Sequence, residues 1–534
     1  MGSLIFLLNF KIFIDELKKV RGGFYALSAL IIPSLIFIKT SADFETYHLP
    51  YINYLSDFKI IFGLVNLSNN YTYGHGWLDI LGLFSIPYIE NKGVSLIAAL
   101  FLYFFLIYLL DEIILNQSRK IKIFSVLAFT YTLSNFNKVE NLGAEAQPTL
   151  LLIIIFLNVL KFLDNENSNE IIVKIFFYVF FALILRIGSL IVIPIIIFFL
   201  FIKLKEIFFL LKKYFRLSFF ILVFFLILIS KNFILTGCLA YPIYLSCPGY
   251  NVSWANPIEN TIERYEFISA ITKRWKFYTL EEGNLESELD YYEPMQKNII
   301  LSPAEYNKSK LLWINYFFYD HDVKRLLNAF LIVLFSFISF LIFSKNKSNF
   351  VNSLILNPKK NNLFYIAILF TNLMWFFLTP QMRYGGYGVI GGSLMFLSTL
   401  ILSELKIKKE YFIKVSFFLI FISSSFFLYK NTVRILDYID KRNIGISSLW
   451  PIYNEKIINK DYKIKKIDNI NLNLIITPNN IIDKPLQCGN LKMLCLPEER
   501  LVCISKIRVK KGYYFISNKN KKCLSQFKQN YWQH

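Results

Sequence analysis

The sequence predicts an all-α polytopic membrane protein, and three observations carry the prediction. Hydrophobic residues make up 55% of the 534 positions, and the mean hydropathy is +0.45. A soluble domain of that composition would lack the polar surface to cover itself. The apolar residues fall into runs of roughly membrane-crossing length, separated by short lysine-rich pieces. Lysine and arginine collect in alternate connections, which is how a multi-pass chain sets its orientation. The net charge of +21 therefore reports on topology, and no nucleic-acid partner is expected.

The chain opens with MGSLIFLLNFKIFIDELKKVRGG. It has no small-residue cleavage site, and Lys11, Asp15 and Glu16 interrupt its apolar run. It reads as a short interfacial helix leading into the first span, not as a cleaved signal. About eleven spans are expected, near 24–38, 92–115, 122–136, 148–163, 171–187, 190–203, 217–231, 325–343, 362–378, 387–403 and 412–429. Residues 76–90 are too short and broken for a span and fit an interfacial or re-entrant helix.

Basic residues precede the first span (Lys18, Lys19, Arg21) and recur at Arg119, Lys120 and Lys122. They recur again from Lys203 to Arg216, from Lys345 to Lys360, and from Lys406 to Lys409. With alternating spans these all lie on one side, which the positive-inside rule makes cytoplasmic, together with the N-terminus. The outer side then holds residues 41–87, the loop at 137–147, a large insertion at 232–324, the loop at 379–386 and the tail. The division expected is a transmembrane domain over 1–430 and a periplasmic C-terminal segment over 431–534. Alternation of lysine and asparagine with isoleucine (KIKKIDNINLNLIITPNN) makes that segment a small soluble α/β or β-rich module.

All six cysteines (Cys238, Cys247, Cys488, Cys495, Cys503 and Cys523) fall on the expected outer side. An even count confined there suits disulfides in an oxidising compartment. Cys238 with Cys247 and Cys488 with Cys495 are the nearest pairings. The connectivity stays open, as does a reading with free thiols. No zinc spacing is present.

Chemistry concentrates in Ser41–Pro87. Asp43, Glu45 and His48 lie within six residues, just after an apolar run, and His75, Trp77 and Asp79 follow. If a helix begins at Asp43, Asp43 shares a face with Tyr47, and Glu45 shares one with His48. A carboxylate there can deprotonate an acceptor hydroxyl or amine, and a neighbouring histidine can hold a phosphate oxygen or position the base. The bland alternative is that Asp43 caps a helix and His48 sits among lipid headgroups. In Tyr73-Gly-His-Gly-Trp77 the glycines let backbone approach a ligand, and the aromatics suit a sugar ring or a membrane belt. Glu145, Arg186 and Arg383 stand at outer ends of spans, where charge is costly unless it snorkels, pairs or serves a site. Arg383, in FLTPQMRYGGYG, suits a phosphate gripped bidentately. No nucleotide phosphate loop and no H-E-x-x-H stands in the chain. No cofactor or metal ligand set is expected, and the residues leave a divalent metal open.

The string Asp43…Tyr47-His48-Leu49-Pro50 directly after the first span resembles the GT-C superfamily of integral membrane glycosyltransferases, closest to an uncharacterised bacterial branch. In that branch a Gly63-Leu64-Val65-Asn66-Leu67 piece follows, then an aromatic and glycine passage ending near Trp77. Asn232 to Pro242, the turn Pro380-x-x-Arg383-Tyr384, and closely spaced Cys488 and Cys495 match further on. The resemblance implies transfer of a sugar from a polyprenyl-phosphate donor to a lipid, glycan or protein acceptor at the outer face of a bacterial inner membrane. Asp43 would be the catalytic carboxylate, assisted by Glu45 or His48. Arg383 would hold the donor phosphate, with Tyr47, His75, Trp77, Glu145 and Arg186 lining the substrate site. Glu45 stands two residues from Asp43, so a paired-acid motif is imperfect. A transporter or flippase, a polysaccharide-polymerase-like protein, and an inactive homologue are the alternatives.

Overall fold

The structure is a computed structural model. It describes residues 21–36, 48–57, 59–67, 69–72, 76–84, 91–136, 145–164, 169–247, 252–273, 302–308, 313–314, 321–343, 358–405 and 407–442, and strands at 463–467, 472–477, 494–497, 504–510 and 513–518. The helices are α1 Arg21–Ile36, α2 Leu49–Asp57, α3 Gly76–Leu83, α4 Asn91–Leu115, α5 Arg119–Asn135, α6 Ala146–Asp164, α7 Asn169–Leu185, α8 Ile193–Lys213 and α9 Phe215–Thr236. They continue with α10 Ile258–Thr272, α11 Pro303–Lys308, α12 His321–Ile342, α13 Pro358–Leu378, α14 Tyr387–Glu404 and α15 Lys409–Arg442.

Among the described residues, seven helices are long and apolar enough to cross a membrane: Leu96–Leu115, Ala146–Asp164, Ile187–Lys213, Ser218–Thr236, Val323–Ile342, Met382–Glu404 and Lys409–Asp437. The protein is therefore an α-helical multi-pass membrane protein. Helices also form at the other expected spans, where α1, α5, α7 and the apolar part of α13, Leu363–Leu378, are shorter or less apolar. Three segments run on well beyond the expected ends, and one of them, α15, expected to end near 429, continues to Arg442 and so crosses the expected division at 430. Helix α8 continues past Lys203, where the backbone leaves helical geometry (φ −134°, ψ 28°), to Lys213. Helix α9 continues through Lys231 to Thr236. A polar residue ends the hydrophobic run in both α8 and α9, but at Lys231 the helix runs straight through it and at Lys203 it resumes after a kink.

Helices α5, α6 and α14 form the centre. The apolar stretch of α6 is 83% buried, against 11% for that of α9 at the periphery. Gly388 and Gly392 of α14 lie directly on Leu152 and Phe156 of α6. Small residues let the two backbones approach, as membrane helix pairs require in the absence of a hydrophobic driving force. The Tyr131 hydroxyl of α5 donates to the Tyr387 carbonyl at 2.9 Å.

The bundle has two chemically distinct ends. One carries Lys120, Lys122 and the Lys203–Arg216 connection, with two ion pairs beside them. There Lys161 pairs with Glu112 and donates to the Tyr108 hydroxyl (3.1 Å), and Lys120 pairs with Asp164 (3.4 Å). The other end gathers pieces distant in sequence. Strand β1, Ile61–Phe62, is followed by Gly63, whose amide donates to the Ile234 carbonyl of α9 (3.0 Å). The Asn66 side chain donates to the Trp254 carbonyl (2.9 Å). A disulfide joins Cys238 to Cys247, both buried against Val65 and Tyr241. Of the other cysteines, Cys495 lies on a strand, and Cys488, Cys503 and Cys523 fall outside the described residues.

The tail supplies β2 Lys463–Ile467, β3 Leu472–Thr477, β4 Leu494–Pro497, β5 Ile504–Lys510 and β6 Tyr513–Asn518. One sheet is ordered β2-β3-β4, antiparallel then parallel. The other is ordered β1-β6-β5, with Ile61 opposite Tyr514 and Phe62 opposite Phe515 in a parallel pair. The tail is thus hydrogen-bonded to the first long loop through a shared sheet.

Candidate functional site

Residues that approach one another across three connections build the site. His48 stands immediately before α2, is buried, and lies within electrostatic reach of Arg186. Burial first, and then the Arg186 charge, pull its imidazole from the ordinary 6.5 down to about 3. His48 is therefore a neutral hydrogen-bonding group at any physiological pH, not a cation.

Arg186 ends α7. Its amide closes the helix onto the Ala182 carbonyl (2.9 Å), and its extended backbone (φ −157°, ψ 123°) starts the 3₁₀ turn Ile187–Val192. Arg383 lies in the π-helical turn Met382–Gly386 before α14. Gly385 brings these two turns together. Its φ of +95° suits glycine, and a Cβ at that point would stand 2.5 Å from Ile191 Cδ1 in the facing turn. With the turns in contact, Arg186 Nη1 reaches the Arg383 carbonyl (3.4 Å). Both guanidiniums lie against the Tyr384 ring, Arg186 at 4.7 Å and Arg383 at 4.6 Å from its centroid.

Arg383 is held further by its Nε donating to Gln381 Oε1 (3.0 Å) and its Nη2 donating to the Tyr384 hydroxyl (2.7 Å). The Gln381 amide donates in turn to the Ile271 carbonyl at the end of α10 (2.6 Å). Both arginines and Tyr384 are half-buried. Planar guanidiniums are the groups that can grip an anion with several oxygens, such as a phosphate, through paired hydrogen bonds.

A second cluster lies beside this one. Asp79 of α3 accepts from Lys231 of α9 at 2.7 and 2.5 Å, and from the Tyr51 hydroxyl of α2 at 3.0 Å. Lys231 also lies 5.3 Å from the Tyr51 ring centroid. Burial, and then the Asp79 charge, raise the Tyr51 phenol well above its ordinary range, so it stays a donor. Tyr51 follows His48 by three residues, and the triad ties α2 and α3 to α9.

Helix α3 meets α7 just beside Arg186. A Cβ on Gly76 would stand 2.3 Å from the Ile184 carbonyl oxygen, so only glycine allows the helix start to rest on that backbone. The expected close approach at this glycine is therefore to a helix, not to a ligand. Trp77 next to it is 1% exposed, with its ring edge-on to Phe101 at 5.9 Å. That packing leaves no ring face for a sugar, and Trp77 shapes the site from within the core. Glu145 stands at the entry of α6, where its carbonyl accepts from the Thr149 hydroxyl (2.8 Å). Phe136, at the adjoining end of α5, packs on Tyr387 at 5.6 Å.

Of the expected site residues, the structure brings His48, Arg186 and Arg383 together and sets Glu145 at the same end of the bundle. Asp43, Glu45, Tyr47 and His75 lie outside the described residues. Sequence reasoning did not assign Tyr384, Gln381, Tyr51 or the Asp79–Lys231 pair. Lys231 carried a signal, since a lone lysine inside the apolar run LILISKNFIL marks a partner or a site. Among the described residues no group of three His, Cys, Asp or Glu side chains is placed to hold a metal ion.

The model of the DUF8201 family, a domain of unknown function, matches residues 2–390, and the chain belongs to that family. No curated protein and no solved structure matches the chain.

Proposed function

We propose that this DUF8201 member is a membrane glycosyltransferase of the GT-C type, which moves a sugar from a polyprenyl-phosphate donor to a cell-envelope acceptor. The convergence of Arg186 and Arg383 on Tyr384, with His48 beside Arg186, carries the reading. Two guanidiniums suit the phosphate leaving group of a lipid-linked sugar, whose charge grows as the glycosidic bond breaks. Asp43 and Glu45 precede His48 by five and three residues, which supplies a carboxylate to take the acceptor proton. A single displacement with inversion is the simplest chemistry for one base and one held leaving group.

The topology proposed is eleven spans with a cytoplasmic N-terminus, in the plasma membrane of a bacterium. The site, the disulfide and the tail face the periplasm. The lysine-rich connections at the opposite end and the Cys238–Cys247 bridge at the site end support this orientation.

A transporter or flippase is the rival, and Lys231 is what it would draw on. Transport sites favour ionisable groups near the bilayer midplane. Lys231 lies within the last two turns of α9 and is paired with Asp79, which favours a site at the membrane surface. The test is complementation of a deletion strain whose surface-glycan or lipid-linked-sugar profile has changed. Asp43→Ala and Arg383→Ala are expected to fail, and Arg383→Lys to recover little, because lysine lacks the planar fork. Wild-type profiles from both alanine variants would refute the assignment.

A further inference from the structure

A cavity of about 210 Å³ opens between α7, α8 and α9. Ile172 and Phe176 of α7, Ile207 and Leu210 of α8, and Leu222 and Phe225 of α9 form its apolar wall. Its polar lining comes from Tyr214 and Ser218, beside the tight α8–α9 connection. This is the lysine-rich end of the bundle, the far end of α9 from Gly63 and the arginine site. Helix α9 is the least buried of the seven long spans, and Phe219, Leu222 and Phe225 of its first turns are exposed. The connection carries Lys212, Lys213 and Arg216, all exposed, and the Lys213 ammonium lies 5.4 Å from the centroid of the cavity-lining Tyr214 ring. From Lys203 to Arg216 there are five basic residues and one acid, Glu206, and Glu206 is paired with Lys203.

An apolar slot between helices with a cationic rim at the bilayer boundary has the polarity of one amphiphile, a chain below and an anionic headgroup above. We propose that this cavity holds an acyl chain of an anionic phospholipid, whose phosphate sits on Lys212, Lys213 and Arg216. A zwitterionic lipid offers the same chain but brings its own cation to that rim. The selectivity therefore lies in the charge, and the fit lies in the slot. This site is separate from the proposed donor site and does not depend on the glycosyltransferase reading.

Native mass spectrometry of the detergent-purified full chain tests the proposal, with dioleoyl phosphatidylglycerol or dioleoyl phosphatidylcholine added. One phosphatidylglycerol should be retained over phosphatidylcholine by on the order of tenfold, given the attraction of juxtamembrane cations for anionic lipid. Lys212→Gln, Lys213→Gln and Arg216→Gln together should erase the preference, and Ser218→Phe should block retention of either lipid. In the unsubstituted protein, added salt should shrink the preference, which provides a readout independent of any variant's folding. Equal retention of the two lipids, or a preference that survives the triple substitution or high salt, would overturn the proposal. Displacement of phosphatidylglycerol by an equimolar polyprenyl phosphate would overturn the choice of occupant.

Discussion

Removing one partner of the Asp79–Lys231 pair tests how the site end is braced. Lys231→Met leaves the Asp79 carboxylate with the Tyr51 hydroxyl as its remaining partner in the triad. Stripping a partner from a fully buried pair costs about 3–5 kcal/mol, and an exposed pair is worth about 0–1 kcal/mol. The side chains are 18% and 29% exposed, which places this pair between the two cases, at about 2 kcal/mol. Asp79→Asn should cost less, about 1 kcal/mol, because the amide still accepts from Tyr51 and the lysine stem can reach toward the nearby end of α9. The double variant Lys231→Met/Asp79→Asn removes both charges. It should recover to within about 1 kcal/mol of the original protein, since neither desolvation cost remains. Reversible unfolding of the four proteins in mixed micelles gives the coupling energy directly. Additive losses in the double variant would refute the claim that these side chains act as a unit.

Three further outcomes are expected. The His48 imidazole is held at about 3 in the folded chain against 6.5 unfolded, so the unfolded state binds the extra proton below pH 6.5. Stability from this group is complete above that pH and is lost as pH falls toward 3, by about 2 kcal/mol at pH 5. His48→Gln should flatten that slope in unfolding midpoints measured across pH. The Cys238–Cys247 bridge spans a sequence separation of 9, and Cys238→Ser with Cys247→Ser should cost about 2–3 kcal/mol by loop-closure entropy; alkylation and mass spectrometry without reductant should find both thiols blocked in the native protein. Gly385→Ala should strain a left-handed turn by about 1–2 kcal/mol and push it off Ile191, with loss of glycan complementation at near-normal protein levels.

Much of the architecture was legible in the sequence because hydrophobic transfer acts on each segment separately. A run such as Leu150–Leu157 is membrane-compatible whatever it packs against. The helix extensions at Lys203 and Lys231 were not legible, because a single charge is absorbed by a kink or by a partner far along the chain. His48, Arg186 and Arg383 could be picked singly as polar groups at helix boundaries. The depth of Trp77 was not legible, because its burial follows from Gly76 resting on α7, and the indole fills the core.

Composition and charge pattern by themselves determined that the chain is a helical membrane protein and roughly where its apolar helices lie. These are sums over neighbouring residues, and neighbours in sequence are neighbours in a helix. Tertiary structure alone decided that the 3₁₀ turn after Arg186 meets the turn at Gly385, that Lys231 finds Asp79, and that Ile61–Phe62 takes its partner strand from the tail. Each of these contacts joins segments more than a hundred residues apart. Their geometry depends on how whole helices pack, which no local pattern encodes.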